Sequence, residues 1–154
     1  MEILNWVYSF MGFFGLLNKK IKILILGLNK AGKSTLLMQM AHHRPEGPQP
    51  TLHSTSEELV IHNVRFVAIN SADHQRFVEV KAELDALLAT KEMQAIPIVV
   101  LGNKIDHLYA VSEEELRYEL DLEHFYTRPI KLCMCSLAFR QGYEKALRWL
   151  TDHI

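Results

Sequence analysis

The sequence predicts an α/β fold: a three-layer domain with a mostly parallel sheet. Three observations carry that expectation. First, the apolar run Ile21 to Leu26 enters a glycine-bearing loop, and a helical pattern, Ser34 to Met40, follows it. Second, Ala95-Ile96-Pro97-Ile98-Val99-Val100-Leu101 is nearly continuous in apolar residues, as strands covered on both faces are. Third, strand-like and helix-like runs alternate along the 154 residues, a length sufficient for one domain with a sizeable core.

The first element is the stretch 1–17. Ile3, Val7, Phe10, Phe14 and Leu17 recur at steps of three and four, which predicts an amphipathic helix, with Glu2, Asn5, Ser9 and Gly12 on its other side. Lys19 and Lys20 follow the apolar stretch, the wrong order for a secretory signal. The stretch is also too short and too interrupted to span a bilayer. Glu2 argues against N-myristoylation, and the end Thr151-Asp152-His153-Ile154 offers no cysteine for prenylation. Two readings stay open: a helix lying in a membrane interface, or one packed on its own domain or a partner. Fully burying five such side chains is worth roughly 7–15 kcal/mol gross. A single myristoyl chain supplies only about 5–6 kcal/mol, so a membrane can be held without a lipid anchor. Residues 18–154 form the remaining domain.

Gly27-Leu28-Asn29-Lys30-Ala31-Gly32-Lys33-Ser34 fits the P-loop spacing G-x-x-x-x-G-K-[ST]. Glycines let backbone N–H groups curl around phosphate oxygens, and the helix start adds unpaired N–H groups. The cradle runs from Asn29 through Lys30, Ala31, Gly32, Lys33 and Ser34 to Thr35. Lys33 reaches the outer phosphates, and the Ser34 hydroxyl ligates Mg²⁺.

Residues 41–50 form a loop with three prolines and a glycine. Leu59-Val60-Ile61 and Val64-Arg65-Phe66 flank His62-Asn63, which predicts a two-residue hairpin. The second strand continues to Ile69. Phe77, Val80, Leu84 and Leu87 then mark one face of a helix. Ser112 with Glu115 reads as a capping box. Ile130 to Cys135 is the last strand, and Tyr143, Leu147, Leu150 and Ile154 are the inward face of the last helix.

Asn103-Lys104-Ile105-Asp106 follows the buried strand at the sheet edge where open α/β folds bind ligands. A carboxylate there accepts from guanine N1–H and N2–H₂. Adenine lacks that donor pair and would leave the carboxylate desolvated and unpaired. The stem of Lys104 can lie over the base, and Ser136-Leu137 can offer a backbone N–H to the guanine oxygen. N-K-x-D alone is weak. After a P-loop, in this order, it is strong, and Asp106 argues against an unrelated P-loop kinase or ATPase.

Composition excludes little. The net charge of −1 gives no reason to expect a nucleic-acid partner. The two cysteines, Cys133 and Cys135, read as buried free thiols, and the eight histidines show no zinc-like spacing.

Taken together, these motifs resemble the Sar family of Arf-type small GTPases, which start COPII coat assembly at the endoplasmic reticulum. The carrying stretches are Asn5-Trp6, Gly27 to Thr35, Gln49-Pro50-Thr51 with Thr55 to Leu59, Glu83 to Leu87, Leu101 to Asp106, Val111 to Glu114, and Met134-Cys135-Ser136 with Arg140 to Tyr143. The resemblance implies GTP/GDP and Mg²⁺ as cofactors and GTP hydrolysis as the reaction. It implies Thr55 as a second Mg²⁺ ligand that senses the γ-phosphate. It further implies membrane attachment through residues 1–17, an exchange factor and COPII coat subunits as partners. The expected location is peripheral, on the cytoplasmic face of the endoplasmic reticulum, and Golgi.

The chain departs from the family pattern in one place. Val64-Arg65-Phe66 runs straight into Val67-Ala68-Ile69-Asn70-Ser71-Ala72-Asp73-His74, with no Asp-x-x-Gly anywhere. The second switch and its water-positioning histidine are therefore missing, and no catalytic residue is assigned. His74 aligns beyond that segment and is no substitute. Asn29-Lys30 stands where the family has Asp-Asn. Fusing two strands into one predicts five strands instead of six. The fused strand is expected to stay in the hairpin, with its crossover helix passing over the P-loop strand to Ile98. The lost helix should bare apolar surface on one face.

Overall fold

The computed structural model describes residues 6–11, 20–28, 30–42, 61–91, 94–124 and 129–153. Among them the strands and α-helices follow in order: β1 (Trp6–Met11), β2 (Lys20–Gly27), α1 (Lys33–His42), β3 (Ile61–Asn70), α2 (Phe77–Leu88), β4 (Ile98–Asn103), α3 (Glu113–Glu119), β5 (Ile130–Met134) and α4 (Tyr143–Thr151). The strands make one sheet in the order β1-β2-β3-β4-β5. From β2 to β5 the neighbours are parallel, and β1 is antiparallel to β2. This is the α/β three-layer arrangement that the sequence predicts.

The pleat explains the layers. Alternate residues of each strand face opposite sides. Ile25, Phe66, Val99, Leu101 and Cys133 pack with Leu36 of α1 and with Ala146 and Leu150 of α4. Leu26, Val67, Ile69, Ile98, Val100 and Leu132 pack with Phe77, Val80, Leu84 and Leu88 of α2 and with Leu116 of α3. Every residue of β4 is buried, which is why it reads as a continuous apolar run. The capping box holds: Ser112 Oγ accepts from the Glu115 N–H at 3.1 Å and starts α3. Both cysteines are buried and free.

Three expectations are corrected. Trp6–Met11 is a strand, not part of a helix. Its β-branched and aromatic residues suit a sheet. Six residue pairs, from Trp6↔Ile25 to Met11↔Lys20, also satisfy a backbone edge that β2 would otherwise leave open. The rest of the expected helix lies outside the described residues.

His62-Asn63 is not a hairpin turn. β3 is continuous, and its lower end pairs in parallel as Lys20↔Ile61, Ile21↔His62 and Lys22↔Asn63. A two-residue turn wants backbone conformations that favour glycine, and this pair has none. The ladder with β2 wins.

The third correction concerns where the fused strand sits. β3 lies between β2 and β4, so α2 joins neighbouring strands and does not cross over the P-loop strand. Val64, Phe66, Val67, Ala68 and Ile69 are all buried, and a strand so apolar on both faces belongs in the middle of the sheet. Among the described residues there are five strands, and the fifth is β1, not half of a hairpin.

A groove of about 350 Å³ runs between β2, β3 and α2, lined by Leu24, Leu26, Val67, Val80, Leu84 and Leu87 among others.

Candidate functional site

The site is built where β2, β4 and β5 end. β2 terminates at Gly27, whose φ is 152°. A Cβ there would stand 2.5 Å from the Ala68 carbonyl oxygen, so glycine is what lets β2 and β3 converge before the loop. The loop turns with Ala31 N–H donating to the Leu28 carbonyl at 3.3 Å. α1 then starts, with Leu36 N–H on the Gly32 carbonyl at 2.9 Å. Gly32 has a φ of 106°, and a Cβ on it would collide with Asn103 Nδ2.

Lys33 is buried, at 8% exposure. Its Nζ donates to the carbonyls of Gly27 and, at 3.2 Å, Leu28. Burial lowers its pKa from the usual lysine value. The ammonium is thus held inside the loop by two of the loop's own oxygens, aimed where phosphate charge is expected. Ser34 and Thr35 are exposed at the start of α1, and Lys30 is exposed at a left-handed φ of 64°.

Asn103 joins the two motifs. The residue is 3% exposed, and both its amide oxygen and its amide nitrogen are bonded. Nδ2 donates to the Ala31 carbonyl at 3.0 Å, while Oδ1 accepts from the N–H groups of Lys104 at 2.7 Å and Leu137 at 2.9 Å. Ser71, also buried, donates both its N–H (3.0 Å) and its hydroxyl to the Asn103 carbonyl. Sequence reasoning read Ser71 only as the end of a strand. A small polar residue two places after the apolar run Phe66 to Ile69 was the available signal.

Asp106 is exposed, and its Oδ1 accepts from Ser136 Oγ at 2.6 Å. Ile105 N–H donates to the Cys135 carbonyl at 3.2 Å, which draws the two loops together. The expected contribution of Ser136-Leu137 takes a different form here. Ser136 N–H is on the Gln141 carbonyl at 2.9 Å, and Leu137 N–H is on Asn103. The pair acts by holding Asp106 and Asn103.

These groups line one cavity of about 540 Å³. Lys30, Ala31, Gly32, Lys33, Ser34, Thr35, Asn103, Lys104, Asp106 and Leu137 all border it. Leu28 and Ala138, which sequence reasoning did not assign, border it too. Asn29 and Thr55 lie outside the described residues, and Ser136 touches the cavity through Asp106. His74 is elsewhere: its Nε2 lies 2.7 Å from the Tyr109 carbonyl oxygen, and its ring stacks on Phe77. A buried ammonium at one end and a braced carboxylate at the other suit a molecule with anionic phosphates and a base edge of N–H donors. A guanine nucleotide has both.

Comparison with known proteins agrees with this geometry. The sequence model of the ADP-ribosylation factor family matches residues 7–70 and 66–154. The two matches share residues 66–70, all within β3, so one strand answers to two places in the family. The chain is 30% identical to the Small COPII coat GTPase SAR1 of Giardia intestinalis, covering 97% of this chain and 98% of that one. It is 30% identical to the Small COPII coat GTPase SAR1 of Nicotiana tabacum over the full length of both. Its identity to the ADP-ribosylation factor-like protein 5 of Dictyostelium discoideum is 29% over 89% of each.

Proposed function

This chain belongs to the ADP-ribosylation factor family, as a small GTPase of the Sar/Arf type, and we propose that it acts as a membrane-recruited guanine-nucleotide switch in COPII vesicle formation between endoplasmic reticulum and Golgi. The observation that carries the nucleotide part is the bracing of Asp106 by Ser136, on a loop that Asn103 ties to the phosphate loop. Asp106 keeps one oxygen on Ser136 and has the rest of its carboxylate for the guanine N1–H and N2–H₂. The Lys104 stem covers the base. Lys33 shifts its ammonium from the loop carbonyls toward the phosphates, with the Gly32 turn supplying N–H groups. Mg²⁺, when bound, would neutralise phosphate charge, and Ser34 is the hydroxyl positioned to hold it, with Thr55 as the ligand implied by resemblance.

Membrane contact through residues 1–17 is part of the same proposal. Its support is the apolar set Ile3, Val7, Phe10, Phe14 and Leu17. Among the described residues no helix is long and apolar enough to cross a membrane. Insertion as a helix requires β1 to leave β2. The exchange factor and coat subunits are proposed partners by kinship.

A second reading is a binder that hydrolyses GTP very slowly and discriminates weakly between GTP and GDP. Two observations favour it: the sequence has no Asp-x-x-Gly, and the far neighbour of β2 is the antiparallel β1, which brings its N-terminal end, not a C-terminal strand end, to the phosphate-loop rim.

The test is to load the purified full chain in Mg²⁺ buffer and identify the bound nucleotide by chromatography. We expect guanine nucleotide. Asp106→Asn should weaken its binding by about a hundredfold and gain affinity for xanthine nucleotides, whose second ring carbonyl can accept from the new amide. Equal binding of adenine nucleotides, or none of either, would overturn the assignment. Strong stimulation of hydrolysis by the coat's GTPase activator would remove the second reading. Flotation with liposomes tests the membrane part: Ile3→Asp with Phe14→Asp, both outside β1, should abolish it.

A further inference from the structure

The P-loop spacing requires Lys33 and leaves position 30 open, yet the chain places a second cation there. Lys30 is exposed on the rim of the nucleotide cavity, a few residues from Ser34. Its backbone is left-handed at φ 64°, a region that glycine and asparagine enter readily and lysine does not. Strain of that kind concentrates at functional positions. Among the described residues no group pairs with its ammonium. Lys33, by contrast, already shares its protons with Gly27 and Leu28. The chain also has no Asp-x-x-Gly segment to place a donor on an outermost phosphate.

We propose that Lys30 is a second phosphate-binding cation that favours the triphosphate over the diphosphate of the bound nucleotide. A primary amine on a flexible stem at the cavity rim reaches outward-facing phosphate oxygens, and its attraction grows with the charge there. The third phosphate adds that charge at the open side of the loop. The asparagine of the family pattern would give a neutral contact at the same backbone position. This inference rests on reading the cavity as a nucleotide site.

The experiment compares the full-length chain with Lys30→Asn, Lys30→Gly and Lys30→Arg. Fluorescent GDP and a fluorescent non-hydrolysable GTP analogue are titrated in Mg²⁺ buffer, and thermal midpoints are measured without nucleotide. Lys30→Asn and Lys30→Gly should weaken the triphosphate analogue by about tenfold and GDP by about threefold or less. Lys30→Arg should bind like the parent. The difference should shrink at about 0.5 M salt, where screening shortens the reach of an exposed charge. Midpoints of the Asn and Gly variants should be unchanged or higher, because both residues suit the left-handed backbone. An unchanged triphosphate-to-diphosphate ratio in both variants overturns the proposal. A parent chain that binds neither nucleotide overturns the reading beneath it instead.

Discussion

Asn103 and Ala31 are joined across 72 residues by a 3.0 Å bond from Asn103 Nδ2 to the Ala31 carbonyl, and that bond fixes the distance between phosphate loop and base loop. The amide also accepts from Lys104 and Leu137, so one buried side chain holds three segments. Asn103→Ala leaves the Ala31 carbonyl and two N–H groups unsatisfied. We expect a stability loss of about 2–4 kcal/mol by urea denaturation. Nucleotide release should quicken by at least about tenfold in stopped-flow displacement. Asn103→Asp keeps the acceptor and loses the donor, and should fall between.

Gly102 sits where β4 meets β5 and α3. A Cβ there would lie 2.5 Å from Met134 Sδ and 2.8 Å from Leu116 Cδ2. Gly102→Ala should therefore cost about 1–3 kcal/mol through overpacking. Met134 is the flexible neighbour. Gly102→Ala with Met134→Ala should lose less than the sum of the two, measured as a double-mutant cycle in urea.

Cys135 gives the pH behaviour. Burial, with the nearby Cys133 adding to it, pushes its thiol from 9.0 up to about 12. A pKa raised by folding means that the unfolded chain gives up its proton first. The thiol's contribution is whole below pH 9.0 and is lost as pH rises toward about 12. The slope in that window is about 1.4 kcal/mol per pH unit. Cys135→Ala should flatten the alkaline limb of a stability–pH curve. Neither thiol should react with a thiol reagent at pH 8 until the chain unfolds.

β1 shields the open edge of β2. A chain beginning at residue 12 should keep the parallel strands but offer that edge to other molecules. Light scattering should report concentration-dependent association that the full chain lacks.

The chemistry was legible because it is written in short, rigid spacings. Gly32-Lys33-Ser34 and Asn103 to Asp106 need particular residues at particular steps, and the structure brings both to one cavity. α2 and α3 were legible from local periodicity and capping. β1 was not, because Val7 and Phe10 share a face only in a helix, so their spacing pointed away from the strand that forms. The deciding term, the unpaired backbone of β2, lies elsewhere in the chain. His62-Asn63 failed for the same reason: a local turn preference lost to eight residue pairs with β2. Ser71 escaped notice because its importance is its grip on Asn103, which no spacing reveals.

Because β1 runs against its neighbours, it begins where they finish. Trp6 is level with Ile25, two residues short of Gly27. The N-terminal end of β1 therefore stands on the rim that carries the phosphate loop. A molecule that grips β1 at that end therefore works beside the doorway to the cavity, whereas one on α4 works on the face shared with α1.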